Sequence, residues 1–125
     1  MSVRYITKED VESFVVGKKV GVSIQYFSRR DYYVYEVVKL LPTQIVLNRD
    51  TRFKRDTLKR IGEADFYYSR MVVIDEEFIA LWQRQNALRT IDGFKFESLE
   101  TETLAAISKL IVADPNYTTK RSVIR

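Results

Sequence analysis

A chain of 125 residues can bury one core but hardly two independent ones, and 46% hydrophobic with 30% charged residues, four Gly and two Pro is the composition of a globular domain. Neither Cys nor His occurs, which excludes disulfides, thiolate metal sites and cysteine nucleophiles, and with them every Ser–His or Cys–His mechanism. The opening Met1-Ser2-Val3-Arg4-Tyr5 lacks the apolar core of a signal peptide and no apolar run approaches the roughly 20 residues that span a bilayer, so the expectation is a soluble cytoplasmic protein with no membrane association.

Thr7-Lys8-Glu9-Asp10 precedes Val11, Phe14 and Val15, which predicts a short helix with Thr7 as N-cap, Asp10 reaching back to it, and an end at Gly17. From Val20 the period changes to two. Val20, Val22, Ile24 and Tyr26 fall on one face and Gly21, Ser23 and Gln25 on the other, the pattern of a half-buried strand. The polar Ser28-Arg29-Arg30-Asp31 then leads to a second strand over Tyr32–Leu40, rich in aromatic and β-branched residues. Pro42-Thr43 and Asn48-Arg49-Asp50-Thr51 mark turns on either side of Gln44–Asn48, and a short strand is centred on Arg52-Phe53-Lys54. Arg55–Gly62 reads as a single helical turn capped by Asp56, and Phe66–Ile74 as the last strand.

Asp75 is a suitable N-cap, Glu76 and Glu77 suit the positive end of a helix dipole, and Phe78, Leu81, Trp82, Gln85 and Leu88 recur at helical spacing up to a stop at Asp92-Gly93. At that spacing Trp82 belongs to the core. Ser98 is placed to cap a second helix whose stripe is Leu99, Thr103, Ala106, Ile107, Leu110 and Ile111, ending before Asp114-Pro115, with a frayed tail from Asn116 to Arg125. The fold class expected is α+β: a small, partly open, antiparallel five-stranded β-barrel with a short N-terminal helix and a C-terminal helical hairpin. One domain would span residues 1–125, with the barrel over 17–74, two helices packed on it over 75–113 and a flexible tail over 116–125.

The net charge of +4 is unevenly spread. Gly17–Gly62 carries eleven Lys or Arg against four Asp or Glu, a balance of +7, whereas Glu63–Asn116 carries five against ten, a balance of −5. Arg29 and Arg30 sit on one hairpin, and Arg49, Arg52, Lys54, Arg55, Lys59 and Arg60 form the densest basic stretch. Aromatic Tyr26, Phe27, Tyr32, Tyr33 and Phe53 are interleaved with them. Loops converging at one rim would make a positive patch, and stacking beside phosphate contacts is how small open barrels hold single-stranded nucleic acid. Basic residues on strand exteriors also serve solubility and edge protection, and strand tyrosines often pack with a wet hydroxyl. The acidic residues offer another surface: Glu97, Glu100 and Glu102 would suit contact with a host protein.

No chemistry is spaced for catalysis. Glu36 and Lys39 have two residues between them on one strand, a spacing that puts them on opposite sides. Gly17-Lys18-Lys19 lacks the first glycine of a phosphate loop and is followed by a strand where a helix would start. Asp75-Glu76-Glu77 is better explained by capping than by metal binding. No catalytic, metal or cofactor residue is assigned.

The order of elements resembles the small β-barrel domain proteins of bacteriophages and mobile elements. The likeness rests on Ile45-Val46-Leu47 followed by Arg52-Phe53-Lys54-Arg55-Asp56-Thr57-Leu58, and on Phe96 with Leu99, Leu104 and Ile107. The barrel also looks like the Tudor-like and Src-homology-like barrels, which implies a binding surface built from loops at one rim, although such folds bind peptides, modified side chains or nucleic acid alike. The expectation is a non-enzymatic binding module. It contacts nucleic acid or a nucleoprotein through Arg29, Arg30, Tyr32, Arg49, Arg52, Phe53, Lys54, Arg55, Lys59 and Arg60; the alternative is an inhibitor that binds a host enzyme or defence complex.

Overall fold

The computed structural model describes residues 3–117, so the tail expected up to Arg125 lies, beyond Tyr117, outside the described residues. The chain divides into two compact units, Met1–Arg89 and Thr90–Arg125. The first holds α1 (Lys8–Glu12), β1 (Lys19–Tyr26), β2 (Arg29–Leu40), β3 (Gln44–Leu47), β4 (Thr51–Lys54), β5 (Tyr67–Val72) and most of α2 (Glu76–Asp92). All five strands are antiparallel in the order β4-β3-β2-β1-β5, and they form an open half-barrel. Among the described residues no helix is long and apolar enough to cross a membrane.

Local chemistry accounts for most boundaries. At α1 the Thr7 hydroxyl accepts from the Asp10 N–H while the Asp10 carboxylate accepts from the Thr7 N–H at 2.8 Å, a reciprocal capping box. The β3–β4 turn has positive φ at both Arg49 (58°) and Asp50 (56°), the geometry whose twist matches a two-residue hairpin. The β1–β2 turn is tighter than the sequence suggests. It consists of Phe27 and Ser28, so that Arg29, Arg30 and Asp31 belong to β2 and are not a loop.

The concave face holds the main core: Ile6, Val11, Phe14, Val20, Val22, Tyr35, Val37, Ile45, Leu47, Phe53 and Met71. The opposite face of β1 was expected to be polar, but Gly21 and Ser23 are buried as well. α2 covers it. The fully buried Phe78 ring lies over Gly21, close enough that a Cβ there would stand 2.6 Å from Cε2, and Tyr32 meets that ring edge-on at 5.9 Å between centroids. Asp75 caps this helix, its carboxylate accepting from the Phe78 N–H at 2.9 Å.

β3 pairs with β2 only along Val37–Leu40, so the upper half of β2 has an edge without a neighbouring strand. Two side-chain amides take its place. Gln85 accepts from the Tyr32 N–H and donates to the Tyr32 C=O at 2.8 Å, while Asn48 accepts from the Glu36 N–H at 3.1 Å.

Arg55–Gly62 is a helical turn only at its start. The Leu58 N–H donates to the Lys54 C=O and closes one turn over Arg55–Thr57; Leu58 then redirects the chain with φ 60°, and Lys59–Ile61 run back beside β4, with Phe53 opposite Arg60. Pairing an otherwise bare edge strand satisfies more backbone groups than one isolated turn of helix can.

In the second unit, Phe94 and Phe96 meet edge-to-face, a 3-10 turn occupies Phe96–Ser98, and α3 spans Thr101–Ala113. Ser98 does not cap α3. Its hydroxyl donates to the Lys95 C=O at 2.7 Å, closing the preceding turn, and Glu100 takes the N-cap position without a side-chain bond.

Candidate functional site

The ten residues singled out in the sequence do not converge at one rim. Arg29 and Arg30 open β2 at the Phe27-Ser28 end, whereas Lys54 pairs with Gln44 near the far end, beside Leu40 and Leu41. Along β2 that separation is roughly 35 Å at about 3.3 Å per residue. Phe53 is 0% exposed and paired with Ile45, so it is core and offers no surface for stacking. Tyr32 is half-buried under Phe78.

Several of the arginines are committed to the fold. Arg60 stands opposite Phe53, and directly opposed residues share a face, so it turns inward, where its Nη1 reaches Ser69 Oγ at 3.3 Å and Glu63 at 3.8 Å. Glu63 in turn accepts from both the backbone N–H and the hydroxyl of Ser69. Arg55 donates to the Leu41 C=O at 3.0 Å and pins the β2–β3 turn. Arg29 pairs with Asp31 at 3.2 Å, and the other Asp31 oxygen meets Arg89 at 3.5 Å. A bond to the Tyr33 hydroxyl and the nearby carboxylate hold the Arg89 guanidinium above its ordinary pKa, so it stays charged. Arg49 lies over the Tyr35 ring.

What remains is a coherent cationic surface. Phe53 and Ile45 face the core, so their neighbours on β4 and β3 lie on the opposite face: Arg52, Lys54, Gln44 and the buried Val46. The Val46 position pairs with Arg52 on one side and with Lys39 of β2 on the other. Lys59 follows on the returning segment, where its C=O accepts from the Lys54 N–H at 2.9 Å. Lys39, Arg52, Lys54 and Lys59 are all exposed, and among the described residues none has a carboxylate within 4 Å. Lys39 was not among the predicted residues. Its register opposite Val46 depends on a bulge between Val37 and Lys39 that spacing alone does not reveal.

Two hollows flank this surface. One, of about 500 Å³, is bordered by Gln44, Lys54, Arg55 and Ile61. The other, of about 410 Å³, lies in the seam where β5 and the returning segment fail to pair, and Lys59, Arg60, Glu63, Tyr67 and Tyr68 line it. Beyond the seam, Tyr26, Phe27, Phe66 and Tyr67 form a ring cluster with centroids 4.5–6.1 Å apart. On the convex side, Arg30 donates to Gln25 at 2.8 Å and Arg70 lies 3.5 Å from the Tyr5 ring, in a third hollow that also includes Tyr68.

Glu97, Glu100 and Glu102 are exposed in the second unit. Glu100 and Glu102 sit at the N-terminus of α3, where negative charge complements the helix dipole. Among the described residues no group of three or more carboxylates is placed to hold a metal ion. No family model, curated protein or solved structure matches the chain.

Proposed function

We propose that this chain is a non-enzymatic binding module, of the kind encoded by bacteriophages and mobile elements, which contacts nucleic acid or a nucleoprotein in the cytoplasm. The observation that carries the reading is the set of four exposed cations, Lys39, Arg52, Lys54 and Lys59, spread over neighbouring strands with no carboxylate within 4 Å among the described residues. Such a face suits a phosphodiester backbone, whose condensed counterions are released as each phosphate is neutralised. A binding role is favoured over catalysis because the sequence has neither His nor Cys, and Glu63 is already engaged by Ser69 and Arg60.

The test is titration of the purified protein with labelled DNA and RNA at increasing salt. Affinity should fall steeply between roughly 50 and 200 mM, and Arg52→Ala with Lys54→Ala should weaken binding for all sequences and reduce the salt slope by about one per cation removed. Binding that ignores salt, or no binding at low salt, refutes the proposal.

A further inference from the structure

We propose further, resting on the nucleic-acid reading above, that the ligand is single-stranded and follows the open seam of the half-barrel, its phosphates beside Lys54 and Lys59 and its bases stacked on Phe27, Phe66 and Tyr67. The path is continuous in the structure. Lys54 lies across from Lys59; Lys59 lines the seam cavity together with Tyr67; and Tyr67 packs on Phe66 and Tyr26 at 5.0 and 4.8 Å.

The aromatic end has the form of a stacking platform. Phe27 and Phe66 are 70% and 52% exposed, and their planes lie within 11° of each other. The fold does not call for these rings. Phe27 occupies a turn position at φ 53°, where Asn, Asp or Gly is the usual residue, and its side chain leaves most of its surface in water. A cluster of exposed rings marks an interaction surface. The adjoining charges favour an anionic occupant: Lys59 lines the seam beside Tyr67, the Glu63 carboxylate there is engaged by Ser69 and Arg60, and Asp31 is engaged by Arg29 and Arg89, while Asp65 precedes Phe66 in the chain as an opposing charge. In a duplex the base faces are buried in the stack; an unpaired strand offers them to aromatic side chains.

Fluorescence anisotropy would compare a labelled oligothymidylate of about ten nucleotides with a duplex of equal length. The wild-type protein should prefer the single strand. Phe27→Asn, which suits the turn, and Phe66→Ser should each weaken single-strand binding by roughly 5- to 150-fold, the range measured for loss of one stacked base, with the single-strand to duplex ratio falling in step. Phe27→Trp should retain binding, and unchanged thermal melts would establish that the fold is intact. A preference for duplex, or single-strand binding unaltered in the two loss variants, overturns the inference. If Arg52→Ala and Lys54→Ala weaken binding while the aromatic variants do not, the seam path is wrong and the nucleic-acid reading stands. If the wild-type protein binds neither oligonucleotide at low salt, both fall, and the aromatic end belongs to a protein partner.

Discussion

Replacing Gly21 by Ala would place a methyl carbon 2.6 Å from Cε2 and 2.8 Å from Cζ of Phe78. Ordinary contact begins near 3.4 Å, so the ring must recede by about 1 Å in a close-packed interior. Phe78 has nowhere convenient to go. It is fully buried, it is held near the capped start of α2 by the Asp75 bond, and the same helix carries Gln85 to the edge of β2. Overpacking of this kind costs about 1–3 kcal/mol, while removing a glycine from a strand interior returns about 0.5–1 kcal/mol. The net expectation is a destabilisation between about 0 and about 2.5 kcal/mol. Urea unfolding followed by circular dichroism would measure it. Phe78→Leu, which withdraws the ring, should destabilise on its own account, yet in that background Gly21→Ala should cost less, with a coupling of at least about 0.5 kcal/mol. A stabilised Gly21→Ala protein, or strictly additive effects, would refute the proposed contact between sheet and helix.

Three other outcomes follow from the same structure. Gln85→Leu removes both bonds to the Tyr32 edge and should destabilise by about 1–3 kcal/mol with faster hydrogen exchange at Tyr32, and unaltered exchange would contradict the strand-mimic role. Glu63→Ala leaves the inward Arg60 and the Ser69 N–H without their partner; since the pair is partly exposed, a loss of about 1–3 kcal/mol in urea unfolding is expected, and no loss would show that the seam does not depend on it. Asp10 is held below the ordinary carboxylate range, chiefly by the backbone hydrogen bond from Thr7, then by the Thr7 hydroxyl and by Arg4. A carboxyl with a lowered folded-state pKa contributes stability above its unfolded-state pKa and loses it as pH falls through the lowered value. An NMR pH titration should therefore place the Asp10 midpoint below that of an unstructured aspartate, and Thr7→Ala should raise it.

Strands and caps were legible because they are local. Alternation from Val20 to Tyr26, the Thr7–Asp10 box, the Asp75 cap and the Asn48–Thr51 turn each follow from neighbours within a few residues. The distribution of the cations was not legible, because it depends on pairing between distant segments. Arg60 and Lys59 are adjacent in sequence, yet the bridge between Phe53 and Arg60 turns Arg60 inward and leaves Lys59 exposed. Phe53 carried basic neighbours on both sides and still faces the core, as strand alternation requires once Ile45 is its partner. Burial of Gly21 could not be read from its own strand, since α2 supplies the cover from more than fifty residues away. The ring cluster at Tyr26, Phe27, Phe66 and Tyr67 joins two segments through the β1–β5 pairing, in which Tyr26 stands opposite Tyr67. A prior signal existed in the Phe66-Tyr67-Tyr68 run, which is more aromatic than an edge strand needs.

Amide chemical-shift mapping with a short single-stranded oligonucleotide tests the interaction surface most directly. The largest changes should fall on Lys39, Arg52, Lys54 and Lys59 and continue to Phe66, Tyr67 and Phe27, with residues of α3 little affected. Perturbations confined to α3, or spread evenly over the protein, would contradict a nucleic-acid surface on the half-barrel.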